Sequence, residues 1–548
     1  MKKRLILLAL CLTLLLAACG GPENVATTQP QAETASQAVR YEELLFEKVM
    51  PLSYATGFSV SYSEEGYKLL TIGEDQTSDG PDISKPVELT MVIQTDGVEC
   101  ADNAMVEEAI NKILKEKLNV TLKIKHCGFT DTRTNMNLWL SSGEPCDIFV
   151  SWFQWSTYKD YAADLTPYID LMPHATESLG DFIENGYDNG KLLGLPAIKD
   201  WVAYNCYLMR KDLVEETGMK PGNIKTYAQF EELLRKIKEN HPDIHPLSNG
   251  TATRPSLFFD STNEREDGSL YATDLFNPTI GVGLMDPATS SQVSCLYFSK
   301  FYEDLVNLAY RWAEEGLMYD TSILNGSEQV SAGTAGGYGT TYKPGIESQE
   351  TVTCGTEMVP VCMPDVTEGV LKTNTSFNWI VNKKCADVER ACMLLDLLYY
   401  DKEVNNLLCW GIEGVHYVKT DDPNIIEYPE GVDASTVGYY SWGKFEFPNN
   451  YLQYVMYPSP SNLWDEMVEF NKAPASKALG FVFDPTPVEG QIAAVQNVAS
   501  QYNQGLGSGM LEPSMLDEFK QALLDNGIEE VVAEAQRQLD AFLANGQA

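Results

Sequence analysis

The chain has 548 residues, 44% of them hydrophobic, and a formal net charge of −39. That length exceeds what one hydrophobic core organises, so two or more lobes are expected, and the apolar fraction is ordinary for a globular protein. A field this negative repels nucleic acid and anionic lipid, and it argues against a large polyanionic substrate.

Lys2, Lys3 and Arg4 precede an almost unbroken apolar run at 5–16, and the small residues Ala17 and Ala18 precede Cys19. The run is shorter than the roughly 20 apolar residues that span a bilayer, and its layout is that of a secretory signal. Leu16-Ala17-Ala18-Cys19-Gly20 resembles the bacterial lipobox. That resemblance implies that 1–18 are removed as a signal peptide and that Cys19 is lipidated. The rest would then fold on the extracellular face of the cytoplasmic membrane. Residues 20–40 hold no Leu, Ile or aromatic side chain, so 19–40 read as a lipid-anchored flexible tether.

Two β-rich runs, 54–62 and 66–72, flank Ser63-Glu64-Glu65-Gly66 and predict a hairpin. The short stretch resembles the opening hairpin of siderophore- and metal-type solute-binding proteins, and 41–85 read as an accessory hairpin segment with its linker. From Pro86 the pattern becomes regular. Residues 87–94 read as a buried strand. Ala109, Ile110, Ile113, Leu114 and Leu118 give a helix over 104–118, and Val120, Leu122 and Ile124 alternate as a strand. Residues 147–150 form another short strand. Strands alternating with helices imply a parallel α/β sheet.

Beyond 196 the pattern changes. Residues 201–210 are aromatic and extended, and Thr226 with Gln229 makes a capping box that opens a helix through Phe230, Leu233, Leu234 and Ile237. A second helix is expected over 297–315, ended by Gly316. Between these helices 249–294 is polar with little periodicity. The glycine-rich stretch 333–339 lacks a following GK[ST], which excludes a phosphate loop. Trp379-Ile380-Val381 reads as a strand, and Ala391, Leu394, Leu395 and Leu398 as a helix. Three amphipathic helices near 487–502, 513–524 and 528–543 close the chain.

Of twelve cysteines, ten follow Cys19 and none forms a CxxC pair, so neither a thiol redox site nor a zinc knuckle is indicated. They read as a structural disulfide somewhere or as small buried apolar residues. His241 and His245 are four apart, but Pro242 and Pro246 break any helix that would present both to a metal. No cofactor and no metal site are expected.

Several blocks in order resemble bacterial extracellular solute-binding lipoproteins of ABC importers, in the sugar-binding family 1 group. They are Ser142-Gly143-Glu144-Pro145-Cys146-Asp147-Ile148, Asp164-Leu165-Thr166-Pro167-Tyr168-Ile169, Gly194-Leu195-Pro196 leading to Met209-Arg210-Lys211-Asp212-Leu213, Trp312-Ala313-Glu314-Glu315-Gly316-Leu317, and Trp410-Gly411-Ile412-Glu413-Gly414-Val415-His416-Tyr417. The tail from Gly480 to Asp540 resembles a C-terminal module of one lipoprotein branch. The resemblance implies an α/β, two-lobe periplasmic-binding-protein-like fold (type II), with the ligand cleft between lobes and a helical C-terminal part. Lobe one would take 86–200 plus 354–419. Lobe two would take 201–353 plus 420–548, including the C-terminal helical module. The implied function is capture of a solute, most simply an oligosaccharide, for delivery to ABC permease transmembrane subunits. An importer-independent surface receptor and a secreted carbohydrate-active enzyme are the alternatives. With 78 acidic residues a carboxylate pair can always be found, and neither GxSxG nor HExxH is present.

Pyranose rings stack on flat aromatic faces while their hydroxyls take hydrogen bonds, and ligands of open α/β sheets bind beyond the carboxyl ends of strands. Trp152 and Trp155 follow the strand at 147–150, Trp201, Tyr204 and Tyr207 lie at the expected crossover, and Tyr342 follows the glycine-rich stretch. With Trp379 as a further candidate, the ligand-binding set is Trp152, Trp155, Trp201, Tyr204, Tyr342 and Trp379. Asp147, Glu413 and His416 are expected to brace structure rather than touch ligand.

Overall fold

The computed structural model describes residues 83–546 apart from 96, 98, 203, 249–261, 267, 320–325, 363, 365–367, 435 and 442. The expected signal, Cys19, the tether and the hairpin at 54–72 lie outside the described residues. The chain divides into two compact units, the first comprising 83–200 with 374–469 and the second 201–373 with 470–546 among the described residues.

In unit one, β1 (Val87–Thr95) leads into α1 (Asn103–Leu118) and β2 (Val120–Gly128). β1 and β2 pair in parallel along their whole length, Val87 opposite Val120 and Thr95 opposite Gly128. The helix buries Val106, Ile110, Leu114 and Leu118, a single stripe at helical spacing. It ends where Asn119 turns left-handed at φ 51°, a conformation asparagine tolerates. Asn111 turns inward from this stripe. It donates to the Leu122 carbonyl at 2.9 Å and accepts from the Leu122 N–H at 2.6 Å, which fixes the helix to β2. After α2 (Thr132–Ser142), the fully buried β3 (Ile148–Val150) joins β1 in parallel. Asp147 accepts from the Thr90 N–H at 2.8 Å, so it pairs within the sheet. β4 (Leu195–Pro196) ends this segment.

Unit two begins with β5 (Tyr204–Arg210). The capping box at Thr226 and Gln229 opens α3 (Tyr227–Asn240), and Ser299 caps α4 (Lys300–Glu314). Glu231 of α3 receives Arg311 of α4 at 2.8 Å, and Arg235 of α3 meets Glu315 just beyond α4 at 2.9 Å. β6 (Gly337–Tyr342) and β7 (Met358–Val361) flank β5 in antiparallel register. Between α3 and α4 the sequence shows no period, yet the structure forms a hairpin of 262–264 with 270–272 and a three-stranded sheet of 274–277, 282–284 and 293–295. Strands of three or four residues are too short to register a period of two.

The chain returns to unit one as β8 (Asn378–Val381), α5 (Val388–Tyr400) and α6 (Lys402–Trp410). The sheet order is β2-β1-β3-β8-β4, with β8 antiparallel to β3 and to β4. The sheet is therefore mixed, not wholly parallel as the alternation over 87–150 implies. The return also starts and ends later than 354–419. β7 pairs with β5 and so belongs to unit two, while a small sheet of 418–419, 425–427 and 455–456 keeps the chain in unit one up to 469. Helix α5 is buried nearly all round, polar positions included. Its Asp396, fully buried, accepts from the Ala175 N–H at 2.8 Å and lies 2.6 Å from His174 Nδ1, with the Tyr400 ring 4.0 Å from the imidazole. In the block at 410–417, His416 Nδ1 accepts from the Ile412 N–H at 2.9 Å and its Nε2 faces Asp102 at 3.2 Å. Gly411 has φ 76°, and a Cβ there would lie 2.4 Å from His416 Nδ1, so this turn requires glycine. Glu413 pairs with Lys419 at 2.8 Å. Both residues brace unit one.

Three helices end unit two, α7 (Glu489–Gly507), α8 (Met515–Asp525) and α9 (Ile528–Gly546). Val495, Phe519, Leu523, Val531, Ala535 and Leu539 join Trp312, Phe230 and Leu305 in one hydrophobic core. The ten cysteines from Cys100 onward are all free thiols, nine of them buried, which favours the apolar-residue reading over a disulfide.

Candidate functional site

Beyond β3 the backbone turns sharply. Trp152 and Phe153 have φ of 38° and 62°, and consecutive bulky residues with positive φ mark a strained turn of the kind found at functional sites. The turn is held by Ser151 N–H donating to Asn378 O at 2.9 Å and Phe153 N–H donating to Ser376 O at 3.1 Å. Ser151 Oγ donates to Thr375 O at 2.6 Å. All these partners are neighbours of β8 or part of it, so the antiparallel return strand shapes this end of the sheet.

The turn presents two rings differently. Phe153 is 67% exposed and meets Phe377 edge-on at 5.0 Å. Phe377 in turn meets Phe445 at 5.4 Å and 90°. Lys199 Nζ lies 4.6 Å from the Phe377 centroid and 5.2 Å from that of Phe445, within cation–π reach, and is 3.3 Å from the Asp200 carboxylate. Trp152 is only 6% exposed, and its Nε1–H donates to Glu446 Oε2 at 2.6 Å. Trp379 Nε1–H donates to the Glu446 carbonyl oxygen at 2.6 Å. Burial pushes the Glu446 carboxyl up to about 8, against the opposing pull of the Trp152 hydrogen bond and the Lys199 charge. Its Oε1 is buried and has no hydrogen-bond partner among the described residues.

Unit two holds a second aromatic group. Tyr204 on β5 and Tyr342 on β6 face each other across the strands, stacked at 5.5 Å and 4°, and Phe470 meets them edge-on at 5.4 and 5.6 Å. Tyr204 is fully buried and Tyr342 half-buried. Trp201 is buried, and its N–H donates to Asn471 Oδ1 at 3.0 Å.

The six sequence-selected residues therefore fall into two groups, Trp152, Trp155 and Trp379 in unit one and Trp201, Tyr204 and Tyr342 in unit two. Glu446 links Trp152 to Trp379. Trp155 packs over Gly194, where a Cβ would come within 3.1 Å of the indole, and Trp379 stacks on Phe447 at 6.0 Å and 15°. Both are buried and fill the interior of unit one. Phe153, Phe377, Phe445, Lys199 and Glu446 have no motif that marks them. The one local signal is an acid between aromatics, Phe445-Glu446-Phe447. Among the described residues, no cluster of His, Cys, Asp and Glu is placed to hold a metal ion. A cavity of about 620 Å³ in unit two, bordered by Val293, Phe298, Leu524, Ile528 and Val532, involves none of these aromatic groups.

A family model described as a domain of unknown function, DUF3502, matches residues 477–544, the stretch that carries α7 to α9. A carbohydrate ABC transporter substrate-binding protein of Streptococcus pneumoniae serotype 4 is 25% identical over 454 residues, covering 79% of this chain and 87% of that protein. The crystal structure of the N-glycan transport solute-binding protein NgtS from Streptococcus pneumoniae aligns with a TM-score of 0.70 at 22% identity, covering 84% of this chain and 100% of that one. A human-milk-oligosaccharide-binding solute-binding protein from Bifidobacterium longum infantis aligns with a TM-score of 0.59 at 16% identity, covering 84% and 99%. The fold is that of the two-lobe solute-binding proteins, with a helical C-terminal part.

Proposed function

We infer that the chain is the substrate-binding component of a carbohydrate ABC importer, which captures an oligosaccharide and hands it to the transmembrane permease. The observation that carries this reading is the match in fold and over most of its length to carbohydrate-binding importer proteins, one of them solved with Man5GlcNAc. The patch of Phe153, Phe377, Phe445 and Lys199, with Trp152 and Glu446 behind it, supplies what a saccharide needs. Aromatic faces suit the apolar side of a pyranose, and a cation and a carboxyl suit its hydroxyls. The activity is binding, not catalysis. Tyr342 of unit two, half-buried beside Tyr204, is a further candidate contact.

The direct test is a thermal-shift panel on the mature chain, with mannose–GlcNAc oligosaccharides, milk oligosaccharides, peptides and metal chelates, because a ligand that binds the folded state raises its melting temperature. A shift with oligosaccharides alone is expected, and a panel in which only peptides or chelates act would sink the reading. Phe153 is exposed, so Phe153→Ala is expected to leave the melting temperature nearly unchanged. It should weaken saccharide binding by roughly tenfold, the loss of about 1–2 kcal/mol of ring contact. Normal affinity by calorimetry would remove Phe153 from the site.

The protein acts outside the cytoplasmic membrane, held there by lipid on Cys19. Among the described residues no helix is long and apolar enough to cross a membrane. Cys19→Ser is expected to move the protein from the detergent phase to the aqueous phase in phase separation, and persistence in the detergent phase would exclude the anchor.

A further inference from the structure

We propose that Lys199 and Asp200 make the saccharide site selective by charge: the paired ammonium and carboxylate beside the aromatic patch hydrogen-bond an uncharged oligosaccharide and turn away one that carries carboxylates, as uronic and sialic acids do. The inference rests on the saccharide-binding reading and deepens it by naming the ligand class, neutral glycans, and the two residues that select it. The patch is open to a ligand. Phe153, 67% exposed, meets Phe377 edge-on at 5.0 Å, and Phe377 and Phe445 are half-buried. Lys199 Nζ lies 4.6 Å from the Phe377 centroid and 5.2 Å from that of Phe445, so its charge borders both rings. The Lys199 and Asp200 side chains keep 14% and 20% exposure, with Nζ 3.3 Å from the Asp200 carboxylate.

The backbone holds this pair in place. Ile198 N–H donates to the Pro448 carbonyl at 2.8 Å, Asn450 N–H to the Ile198 carbonyl at 3.0 Å, and the Tyr451 hydroxyl to the Lys199 carbonyl at 3.2 Å. Groups presented from a fixed backbone lose little freedom when a ligand arrives. Selectivity follows from the charge balance. Lys199 alone would receive a carboxylate well, since an ammonium partly stripped of water makes strong bonds to anions. Asp200 already takes that place. A ligand carboxylate has to displace it or lie beside it, and like charges so close repel. Glu446, behind Trp152, adds no positive charge in either protonation state. Lys444, one residue before Phe445, turns away to the Ser441 carbonyl at 3.3 Å and the face of Trp410 at 4.7 Å. The net charge of −39 opposes an anionic ligand at longer range as well. A neutral glycan meets neither penalty, and its hydroxyls can accept from Lys199 while donating to Asp200.

The test is calorimetry of the full mature chain with a matched pair of ligands. One is Man5GlcNAc, or the neutral panel glycan giving the largest thermal shift; the other is the same glycan with its primary hydroxyls oxidised to carboxylates. Wild type is expected to bind the oxidised form at least about tenfold more weakly, a gap that narrows as salt is added. Asp200→Asn leaves the ammonium without its counter-charge and is expected to lower the ratio of oxidised to neutral Kd by about tenfold. Lys199→Gln leaves the carboxylate without its cation and is expected to raise that ratio. Opposite signs in the two variants separate a charge effect from lost packing, which would weaken both ligands together. Equal binding of the two ligands by wild type, an unchanged ratio in Asp200→Asn, or two variants that move the ratio the same way would each overturn the proposal. Should Asp200→Asn fail to fold, wild type and Lys199→Gln decide it. If wild type binds the neutral and oxidised glycans alike, only the selectivity falls; if no saccharide binds wild type, the carbohydrate reading falls with it.

Discussion

Trp312→Ala is expected to destabilise unit two by about 3–5 kcal/mol, the range for removing a large aromatic side chain from a well-packed core. Trp312 lies on α4, is wholly inaccessible to solvent, and meets Phe230 of α3 edge-on at 5.6 Å and 75°. It belongs to the same core as Phe519, Leu523 and Leu539 of the terminal helices. The cavity left by the indole therefore loosens α3, α4 and the C-terminal module together. Its Nε1 has no hydrogen-bond partner among the described residues, so Trp312→Phe gives up ring volume but no polar contact and should cost less than the alanine. Urea unfolding followed by circular dichroism measures both. The two units can unfold in separate transitions, which must be resolved before a free energy is assigned. A loss under about 1 kcal/mol for Trp312→Ala would show that this core is not the one holding unit two together.

The second large effect is a fall in the stability of unit one with rising pH that Glu446→Gln abolishes. Burial raises the folded-state pKa of Glu446 from an ordinary value of 4.5 to about 8. Below the ordinary value both folded and unfolded chains hold the proton, and the stability tied to it is fully present. Between the two values the folded chain keeps a proton that the unfolded chain releases, so stability falls by about 1.4 kcal/mol per pH unit. The fall ends as the pH passes the folded pKa. Chemical unfolding at a series of pH values, read on unit one, measures the slope. Parallel curves for wild type and Glu446→Gln would mean that the carboxyl is not carried neutral in the folded protein. Other groups titrate in the same window, and subtracting the variant's curve removes those whose surroundings are unchanged.

Much of the architecture is local enough to be legible in the sequence. The stripe of Ile110, Leu114 and Leu118, the capping box of Thr226 and Gln229, and the glycine stop after α4 each depend on residues within a turn or two of one another. So does the alternation of Val120, Leu122 and Ile124. These features place α1, α3, α4, β1, β2 and the three terminal helices within a few residues of where they lie. The candidate site was only half legible. Trp152 could be named because it follows a strand end, a rule of position along the chain. Its neighbours Phe377, Phe445 and Lys199 are more than forty residues away along the chain, and no spacing rule connects them.

What only the tertiary structure decided is what depends on distant segments meeting. The direction of β8 against β3 is set by hydrogen bonds between residues more than two hundred positions apart. The short strands over 262–295 exist because each finds a partner, not because three residues prefer extension. Whether a tryptophan is platform or filler is likewise a matter of surroundings: Trp155 and Trp379 are as aromatic as the exposed Phe153, but Gly194 and Phe447 close over them. The charge of Glu446 is the clearest case. Its sequence says carboxylate, and only enclosure by Trp152, Gly443 and the backbone below Trp379 makes the neutral acid the favoured form, because desolvation is a sum over everything that surrounds the group.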